Sequence, residues 1–481
     1  MKGGIEFFHL CQDTRDIMLQ IYSTLARTKT PFEPLQPGKI GIYVCGVTVY
    51  DYCHIGHARV MVAFDVITRY LRWRGWDVNY VRNITDVDDK IIRRAAENGE
   101  SVDALTERMI AAMHEDETRL LVLRPDHEPR VTGHMDNIIE FIGTLMDKDF
   151  AYLASNGDIY YRVEKFETYG RLSNQNVDEL RSGSRVEVEE AKESPLDFVL
   201  WKAAKPGEVS WASPWGEGRP GWHIECSAMS KSCIGHTLDI HGGGPDLPFP
   251  HHENEIAQSE AANGCTYANY WMHAGAVRVN QEKMSKSLNN FFTIRDVLEK
   301  YNSEVVRYFL TSAHYRSYID YSEDSLKEAR SALERFYQAL QGINIIDQTQ
   351  QWAGSEYEVR FCEAMDDDFN TPKALAVLFE LVNELNTAKR SDPVLASKLA
   401  AELKRLAGVV GLLQQDPDQF LKGEERADGL SHDAIEAMIQ QRIEAKRNKD
   451  YAESDRIRDV LAAQGIILKD SREGTSWYRE G

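Results

Sequence analysis

Two strand–helix pairs follow each other between residues 38 and 99, and this alternation constrains the fold more than any other feature of the sequence. GKIGIYVCG, residues 38–46, predicts a buried strand, and the four-residue apolar spacing in HARVMVAFDVITRYLRWRG predicts a helix that ends at Gly75. DVNYVRNIT then predicts a second strand, and DKIIRRAAENG a second helix closed by Gly99. This order indicates a doubly wound parallel α/β sheet, in which ligands bind at the carboxyl ends of the strands.

The remaining chain divides by pattern into an interrupted sheet domain, a helical region and a small terminal unit. Short alternating segments predict an insertion, and the strand, glycine-rich loop and helix of HTLDIHGGGPDLPFPHHENEIAQSEAANG resume the sheet domain. In the helical region, Thr371 and Pro372 predict an N-cap and a first helical residue. We expect an extension at 1–17, the sheet domain at 18–134 and 206–290 around the insertion at 135–205, a following region at 291–322, a helical bundle at 323–415, a linker at 416–430 and an α+β unit at 431–481.

Composition restricts the environment and the partners. The 481 residues include seven scattered cysteines, which do not form the regular framework of a disulfide-rich secreted protein, so we expect a reducing cytoplasm. The N-terminal residues lack the apolar stretch of a secretory signal, and no apolar run is long enough for a membrane span. The formal net charge of −20 disfavours nucleic acid at long range, so an RNA partner would need a local basic patch.

Two segments suit the binding of a polyphosphate. His54-Ile55-Gly56-His57 lies between the first strand and the first helix, where unpaired main-chain N–H groups attract anions. EKMSKSLNN, residues 282–290, carries Lys283 and Lys286 three residues apart, and lysine is a common ligand of phosphate groups. Each segment alone would more often be an ordinary polar surface. Together and in this order, the two segments are a specific signal for polyphosphate binding.

Four side chains suggest a metal site. Cys45 ends the first strand, Cys226 lies in GWHIECSAMS, and PHHENE offers His251 or His252 together with Glu255. Both histidines have a helical spacing to the carboxylate that would let the pair share one ion, so spacing does not choose between them. The alternative is that both cysteines are buried apolar residues.

With both phosphate-binding segments intact, the sequence resembles the class I aminoacyl-tRNA synthetases. The resemblance implies a Rossmann-type catalytic domain with a connective insertion, a stem-contact region, a helical bundle and a C-terminal anticodon-binding unit. It also implies that His54 and His57, with Gly56 between them, bind the α-phosphate of ATP, and that Lys283 and Lys286 bind the leaving pyrophosphate. Magnesium would accompany the ATP.

Within that class, the four segments that carry the candidate ligands and lysines are similar to those of the cysteinyl-tRNA synthetases, from about residue 18 to the C-terminus. The resemblance implies a ligase that joins L-cysteine to tRNA(Cys), with one zinc ion on Cys45, Cys226, His251 and Glu255, and it selects His251 over His252. It also implies a pocket for cysteine and its adenylate. Its members would be Gly46, Thr48, Thr85, Trp222 and His241, which otherwise read as turn, strand or core residues.

The C-terminal unit supplies the local basic patch. Lys446 and Arg447 lie in QQRIEAKRNKDY, and by similarity this unit reads the anticodon. Trp477 would stack on an unpaired base or anchor the small core, and Asp470 would pair with base edges or close a turn.

Three further expectations complete the prediction. We expect a monomer without an editing site, and residues 1–17, which have no counterpart in the resemblance, are expected to be dispensable for aminoacylation. A ligase that joins cysteine to an amino sugar would share the zinc and adenylate sites but would lack the anticodon unit. A catalytically inactive relative that binds RNA or zinc would not need both phosphate-binding segments intact.

Overall fold

The structure of the chain is a computed structural model. It describes residues 18–175, 191–205, 207–279, 291–345, 354–423, 430–470 and 474–479, together with the main chain of 282–283. The N-terminal extension 1–17 and the lysine segment 284–290 lie outside the described residues.

A four-stranded parallel sheet forms the centre of the first half of the chain. Its order is β10 (Ala268–His273), β9 (Leu238–Gly243), β3 (Lys39–Thr48) and β4 (Asp77–Thr85). An antiparallel pair of short strands, β1 (Gln20–Ser23) and β2 (Thr28–Pro31), precedes it in the chain. From β3 the chain proceeds to β4 on one side, and it later returns to β9 on the other side. The direction of winding therefore changes at β3, and such a switch point leaves a crevice at the carboxyl ends of the strands. The predicted doubly wound parallel sheet is confirmed.

Helix α1 (Ile55–Trp73) connects β3 to β4 and is buried along most of its length, because apolar residues recur on the face that covers the sheet. Arg74 caps its C-terminus and is followed by Gly75 with a φ of +89°, the glycine at which the sequence predicted the end of this helix. Helix α2 (Asp89–Asn98) likewise ends at left-handed Gly99, and α3 (Val102–Arg119) follows it.

The inserted segment has its own antiparallel sheet. Helix α4 (Met135–Asp147) precedes strands β5 (Ala151–Leu153), β6 (Ile159–Tyr161), β7 (Phe198–Ala203) and β8 (Gly218–Pro220), which pair in that order. Strand β8 lies beyond residue 205, where the sequence placed the end of the insertion. Helix α5 (Trp222–Cys233) then leads to β9, and α6 (Glu253–Asn263) leads to β10.

A small sheet, ordered β12 (Glu282–Lys283), β11 (Val277–Val279) and β13 (Ile319–Tyr321), follows the main sheet. The described residues beyond it are mainly helical. The helices are α7 (Ile294–Lys300), α8 (Ser303–Thr311), α9 (Glu323–Leu340), α10 (Glu356–Asp366), α11 (Thr371–Ser391), α12 (Pro393–Val409) and α13 (Pro417–Lys422).

The predicted N-cap of α11 is wrong by one residue. The side chain of Asn370 accepts a hydrogen bond from the Lys373 N–H, at 3.2 Å, so Asn370 is the cap. Thr371 is the first helical residue, and its hydroxyl donates to the Thr311 carbonyl at 2.7 Å. A tertiary contact therefore occupies the side chain that the sequence alone favoured as a cap.

The C-terminal unit pairs helices α14 (His432–Arg447) and α15 (Tyr451–Ala462) with a hairpin of β14 (Ile466–Asp470) and β15 (Thr475–Arg479). Its small core contains Ile435, Ile439, Ile457, Leu461, Ile466 and Trp477. None of the helices in the described part of the chain has both the length and the apolar composition that a membrane crossing requires.

Candidate functional site

A β-bulge places Cys45 at the switch point of the sheet. The pairing of β3 with β4 is regular up to Val44 and resumes at Val47 after a shift of register. A bulge redirects the side chains of its strand, and here it carries Cys45 and Gly46. Gly46 is required for this approach, because a Cβ atom at this position would lie 1.7 Å from the Asn83 carbonyl oxygen.

Three further donor atoms meet the Cys45 sulfur, and all four side chains are buried. Cys226 comes from α5, His251 precedes α6, and Glu255 lies in the first turn of α6. The Cys45 Sγ atom is 3.5 Å from Cys226 Sγ, 3.5 Å from His251 Nε2 and 3.3 Å from Glu255 Oε1. His251 Nε2 and Glu255 Oε1 are 3.0 Å apart. The structure thus brings together the four residues that the resemblance implied as ligands.

Outer contacts fix which atoms of these side chains face one another. Tyr267 donates its hydroxyl to Glu255 Oε2 at 2.9 Å, and His241 Nε2 lies 2.8 Å from the same oxygen. The other oxygen, Oε1, is therefore directed towards the sulfur atoms. His251 Nδ1 lies 2.9 Å from His223 Nδ1, which leaves Nε2 for the cluster. Such partners are typical of metal ligands, whose orientation depends on a second layer of hydrogen bonds.

A second set of four ligands overlaps the first and shares Cys45 and Glu255 with it. His241 and His252 complete this inner set. His252 Nε2 is 3.3 Å from Cys45 Sγ and 3.9 Å from Glu255 Oε1. Its other nitrogen lies 2.8 Å from His273 Nε2, and His273 Nδ1 lies 2.7 Å from the Thr24 hydroxyl. The structure therefore places both His251 and His252 beside the carboxylate of Glu255.

Negative charge collects in the cluster of Cys45, Cys226, His251 and Glu255. Burial opposes ionisation of Cys226, but hydrogen bonds from Cys45 and His251 bring the pKa of its thiol down to about 6. Burial disfavours the charged form of His251 too, yet Glu255 and Cys226 raise the pKa of its imidazole to about 10. A thiolate and a carboxylate thus share one buried positive charge, which is the electrostatic condition for binding a cation.

His54 and His57 form a second group at the N-terminus of α1. His54 Nδ1 accepts a hydrogen bond from the Gly56 N–H at 3.0 Å, and His57 Nδ1 accepts one from the His54 N–H at 3.1 Å. Each ring therefore carries its proton on Nε2 when neutral. Burial and the adjacent His54 lower the pKa of His57 to about 3, so His57 is neutral at physiological pH. Both rings can present an Nε2–H donor.

The remaining predicted pocket residues lie on the same strands and helices. Thr48 pairs with Thr85 in the β3–β4 register, and the Thr85 hydroxyl donates to Glu225 Oε2 at 2.9 Å. Trp222 is 40% exposed, and its ring centroid lies 4.1 Å from that of His251. His241 is fully buried, stacks on Trp271, and its Nδ1 has no hydrogen-bond partner among the described residues.

Of the predicted lysine pair, only Lys283 is described, and only by its main chain, which pairs with Arg278. Lys286 lies outside the described residues. In the C-terminal unit, Lys446 Nζ is 2.8 Å from Asp470 Oδ2, and Asp470 also binds the Arg442 guanidinium through both oxygens, at 2.8 and 2.9 Å.

Trp477 is buried, with 2% of its surface exposed, and it donates to Glu436 Oε1 at 2.8 Å. The sequence left base stacking and anchoring of the small core as alternatives for Trp477, and its burial favours the anchor. Arg447 lies in the last turn of α14.

Several residues of the site were not identified from the sequence. They are the outer partners His223, Tyr267 and His273, together with Asn83, whose Oδ1 accepts from the Gly46 N–H at 2.9 Å and lies 3.7 Å from Cys226 Sγ. His223 alone had a local signal, because it is three residues before Cys226 on one helix. Asn83 lies in β4, Tyr267 immediately precedes β10 and His273 ends β10, so their proximity to the candidate ligands depends on the order of the strands in the sheet.

Comparison with known proteins agrees with this architecture. Residues 31–331 match the family described as the tRNA synthetases class I (C) catalytic domain, and residues 360–414 match the DALR domain. Among solved structures, methionyl-tRNA synthetase from Mycobacterium tuberculosis bound by methionyl-adenylate has the same fold. Its TM-score is 0.56 at 16% identity, over 79% of this chain and 90% of that chain. The sheet, its insertion and the helical region therefore define a class I aminoacyl-tRNA synthetase.

Curated relatives specify the family. The cysteine–tRNA ligase of Chromohalobacter salexigens is 65% identical over 463 residues, which cover 96% of this chain and 100% of the relative. That of Hahella chejuensis is 65% identical over 467 residues, with 96% and 100% coverage. The chain belongs to the cysteine–tRNA ligase family, whose members are also called cysteinyl-tRNA synthetases.

Proposed function

We propose that this enzyme activates L-cysteine with ATP, giving cysteinyl-adenylate and pyrophosphate, and then transfers cysteine to the 3′-terminal ribose of tRNA(Cys). One zinc ion per chain would be held by Cys45, Cys226, His251 and Glu255 and would select the substrate thiolate. The observation that carries the proposal is the buried convergence of these four donor atoms, all within 4.8 Å of one another, at the switch point of the sheet.

The chemistry of the donor set fits zinc. Tetrahedral ligands at roughly 2.0–2.3 Å from an ion lie roughly 3.3–3.8 Å from one another. Four of the six separations among the ligand atoms of Cys45, Cys226, His251 and Glu255 are 3.0–3.5 Å, and the two others, from Cys226 to His251 and to Glu255, are within 4.8 Å. In the inner set, His241 and His252 take the places of Cys226 and His251, so one of the two sulfur ligands becomes a nitrogen. The set with two sulfurs is therefore the better zinc site.

Selection of cysteine over serine needs more than shape, because the two differ by one atom. A pocket that relies on shape separates such analogues by roughly 100-fold. Zinc, when bound, supplies a direct bond to a thiolate and lowers the pKa of the thiol, and a serine hydroxyl is a much poorer ligand. A metal–thiolate bond supplies more discrimination than shape does, and we therefore propose that the enzyme has no editing site.

The activation step is proposed to depend on phosphate contacts. The carboxylate of cysteine attacks the α-phosphorus of ATP, and pyrophosphate leaves with its magnesium ion. His54 and His57 would donate their Nε2–H groups to the α-phosphate, Gly56 permits close approach of the main chain, and Lys283 and Lys286 would bind the leaving pyrophosphate. The roles of the two histidines rest on the tautomers that the main-chain donors fix, and those of the two lysines rest on the sequence motif.

The amino acid and its adenylate are proposed to lie against Gly46, Thr48, Thr85, Trp222 and His241. Trp222 stands exposed beside His251, which suits an aromatic wall of an open pocket. Asn83 joins this group as a residue that holds Gly46 in place.

The division into catalytic domain, insertion, stem-contact region, helical bundle and anticodon-binding unit also remains our proposal. In the C-terminal unit, Lys446 and Arg447 would meet the RNA backbone. Asp470 would chiefly hold Arg442 and Lys446 in place, and Trp477 would anchor the core. We further propose that the enzyme acts as a monomer in the cytoplasm.

Removal of the metal tests the central proposal. The purified enzyme is expected to contain about one zinc per chain, and chelation is expected to lower cysteine-dependent pyrophosphate exchange by more than about 100-fold. Re-addition of Zn²⁺ should restore the rate, measured together with the metal content. Full exchange activity in metal-free enzyme would contradict the zinc assignment.

The choice of acceptor needs a separate assay. Addition of tRNA(Cys) should give cysteinyl-tRNA, whereas a ligase for an amino sugar would consume that sugar instead, and an inactive relative would show no exchange. Product formation with each acceptor, measured on the full chain, distinguishes a cysteine–tRNA ligase, an amino-sugar ligase and an inactive relative.

Replacement of Lys286 by Ala is expected to slow adenylate formation by about 100-fold, the typical effect of losing one preorganised contact to developing charge. The dissociation constant for cysteine should stay within about threefold, because the lysine would contact only pyrophosphate. Stopped-flow measurement of both quantities provides the check, with Lys327→Ala on the exposed surface of α9 as the control. Equal losses in rate and in cysteine affinity would exclude a pyrophosphate contact.

A further inference from the structure

The segment after the lysine motif is paired with the residues that flank His54. Thr293 and His54 form an isolated antiparallel β-bridge. The Ile55 N–H donates to the Phe292 carbonyl at 3.1 Å, and the Ile294 N–H donates to the Cys53 carbonyl at 2.8 Å. These hydrogen bonds fix the main chain of residues 291–294 beside the first turn of α1.

Phe291 uses this position to contact the His54 ring. The two ring centroids are 5.0 Å apart, and the planes meet at 71°, an edge-to-face arrangement. The His57 ring is stacked against His54 at 3.7 Å with an interplanar angle of 29°. His54 is therefore in contact with two rings, and its Nδ1 is bound by the Gly56 N–H.

We propose that Phe291 is a positioning residue that holds the His54 imidazole in the orientation needed to donate from Nε2 to the ATP phosphate. Aromatic pairs in this geometry are attractive and directional, so Phe291 restricts rotation of the His54 ring about the bond to its Cβ. Without that contact, the hydrogen bond from Gly56 and the stacked His57 ring would remain, and neither supplies the edge-to-face contact that Phe291 makes with His54. The proposal rests on the proposed role of His54 in the activation step.

The neighbouring residue offers a natural comparison. Phe292 is also half-buried, but its ring lies 5.2 Å from that of Tyr321 and packs against the main hydrophobic core. It shares the main-chain environment of Phe291 but makes a different ring contact. A defect caused merely by loss of packing would appear at Phe292, whereas a defect in His54 orientation would appear only at Phe291.

A double-mutant cycle on the full chain tests the proposal. The variants are Phe291→Ala, His54→Ala and the combination, assayed by cysteine-dependent pyrophosphate exchange with the KM values for cysteine and ATP. We expect Phe291→Ala to lower kcat by about tenfold, with the KM for cysteine within about threefold. In the His54→Ala background, removal of Phe291 should cause no further loss, because its effect passes through His54.

Conservative variants separate positioning from stability. Phe291→Tyr keeps the ring and should restore kcat, Phe291→Leu keeps much of the volume and should not, and Phe292→Leu should lower the melting temperature without the loss of kcat. Rescue by Leu as well as Tyr would overturn the proposal, because volume alone would then suffice.

The outcomes also separate this inference from the proposed function. Unchanged kcat in Phe291→Ala, with a large loss in His54→Ala, would overturn the inference and leave the role of His54 intact. A loss from Phe291→Ala that persists in the His54→Ala background would overturn it too. Full activity of His54→Ala would instead refute the proposed role of His54, and the inference would fall with it.

Discussion

Replacement of Cys226 by serine is expected to remove the bound metal and to lower kcat/KM for cysteine by more than about 1,000-fold. The loss of an outer partner of a metal ligand typically costs roughly 10- to 100-fold in affinity or activity, and the loss of a ligand itself exceeds this. The serine hydroxyl has nearly the shape of the thiol, so the buried helix α5 should still pack. The effect would therefore report on coordination and not on the fold.

Cys233 provides the matched control, because it lies on the same helix, α5, seven residues later and outside both candidate ligand sets. Cys233→Ser should retain metal and activity. Metal content by atomic emission and pyrophosphate exchange are measured on both variants. Cys226→Ser with a full complement of zinc and unchanged kcat/KM for cysteine would remove Cys226 from the site and favour the inner set of His241 and His252.

The elements that could be predicted from the sequence are those whose signals are local. The strand at Asp77–Thr85 and the left-handed residue Gly99 at the end of α2 follow from apolar spacing and helix capping. The relation between β3 and β9 is different. These strands are neighbours, but nearly 200 residues separate them in the chain, and no local pattern encodes this pairing.

The same contrast explains the outer part of the candidate site. Residues such as Tyr267 and His273 acquire their contacts only when β10 lies beside β9, so their types carry no signal in the sequence. For Trp477 the residue type did carry a signal, but an ambiguous one. Its residue type suited both base stacking and core packing, and burial in the small C-terminal core favours one over the other.

Three consecutive aspartates connect the helical region to the sheet domain. Asp366 accepts from the Tyr70 hydroxyl at 2.7 Å and pairs with Arg74, both near the end of α1. Asp367 pairs with Lys29 and Lys373, the latter at 2.9 Å. The third, Asp368, is fully buried and has a φ of +63°. Because adjacent side chains point in different directions, three successive carboxylates can reach three separate parts of the fold.

Asp368 makes the most extensive contacts of the three. Its carboxylate accepts hydrogen bonds from the Tyr22 N–H at 3.0 Å, the Tyr315 hydroxyl at 2.9 Å and the Arg316 Nε at 2.8 Å. It therefore links strand β1, which contains Tyr22, to the segment that precedes β13. Removal of one partner from a buried ion pair leaves the other charge uncompensated and typically costs roughly 3–5 kcal/mol.

We expect Asp368→Asn to lower the free energy of unfolding by about 3 kcal/mol. This lies at the low end of that range because Arg316 is partly exposed and the amide oxygen can still accept from the Tyr22 N–H and the Tyr315 hydroxyl. Asparagine tolerates the left-handed φ, so backbone strain does not contribute. Asp367→Asn is the control: its partners lie at the surface, and the expected loss is below about 1 kcal/mol. Urea denaturation of both variants provides the measurement. Equal losses would show that the buried contacts of Asp368 add nothing to those of an exposed ion pair. The connection between the helical region and the sheet domain would then depend on the packing of α10 and α12 against α1.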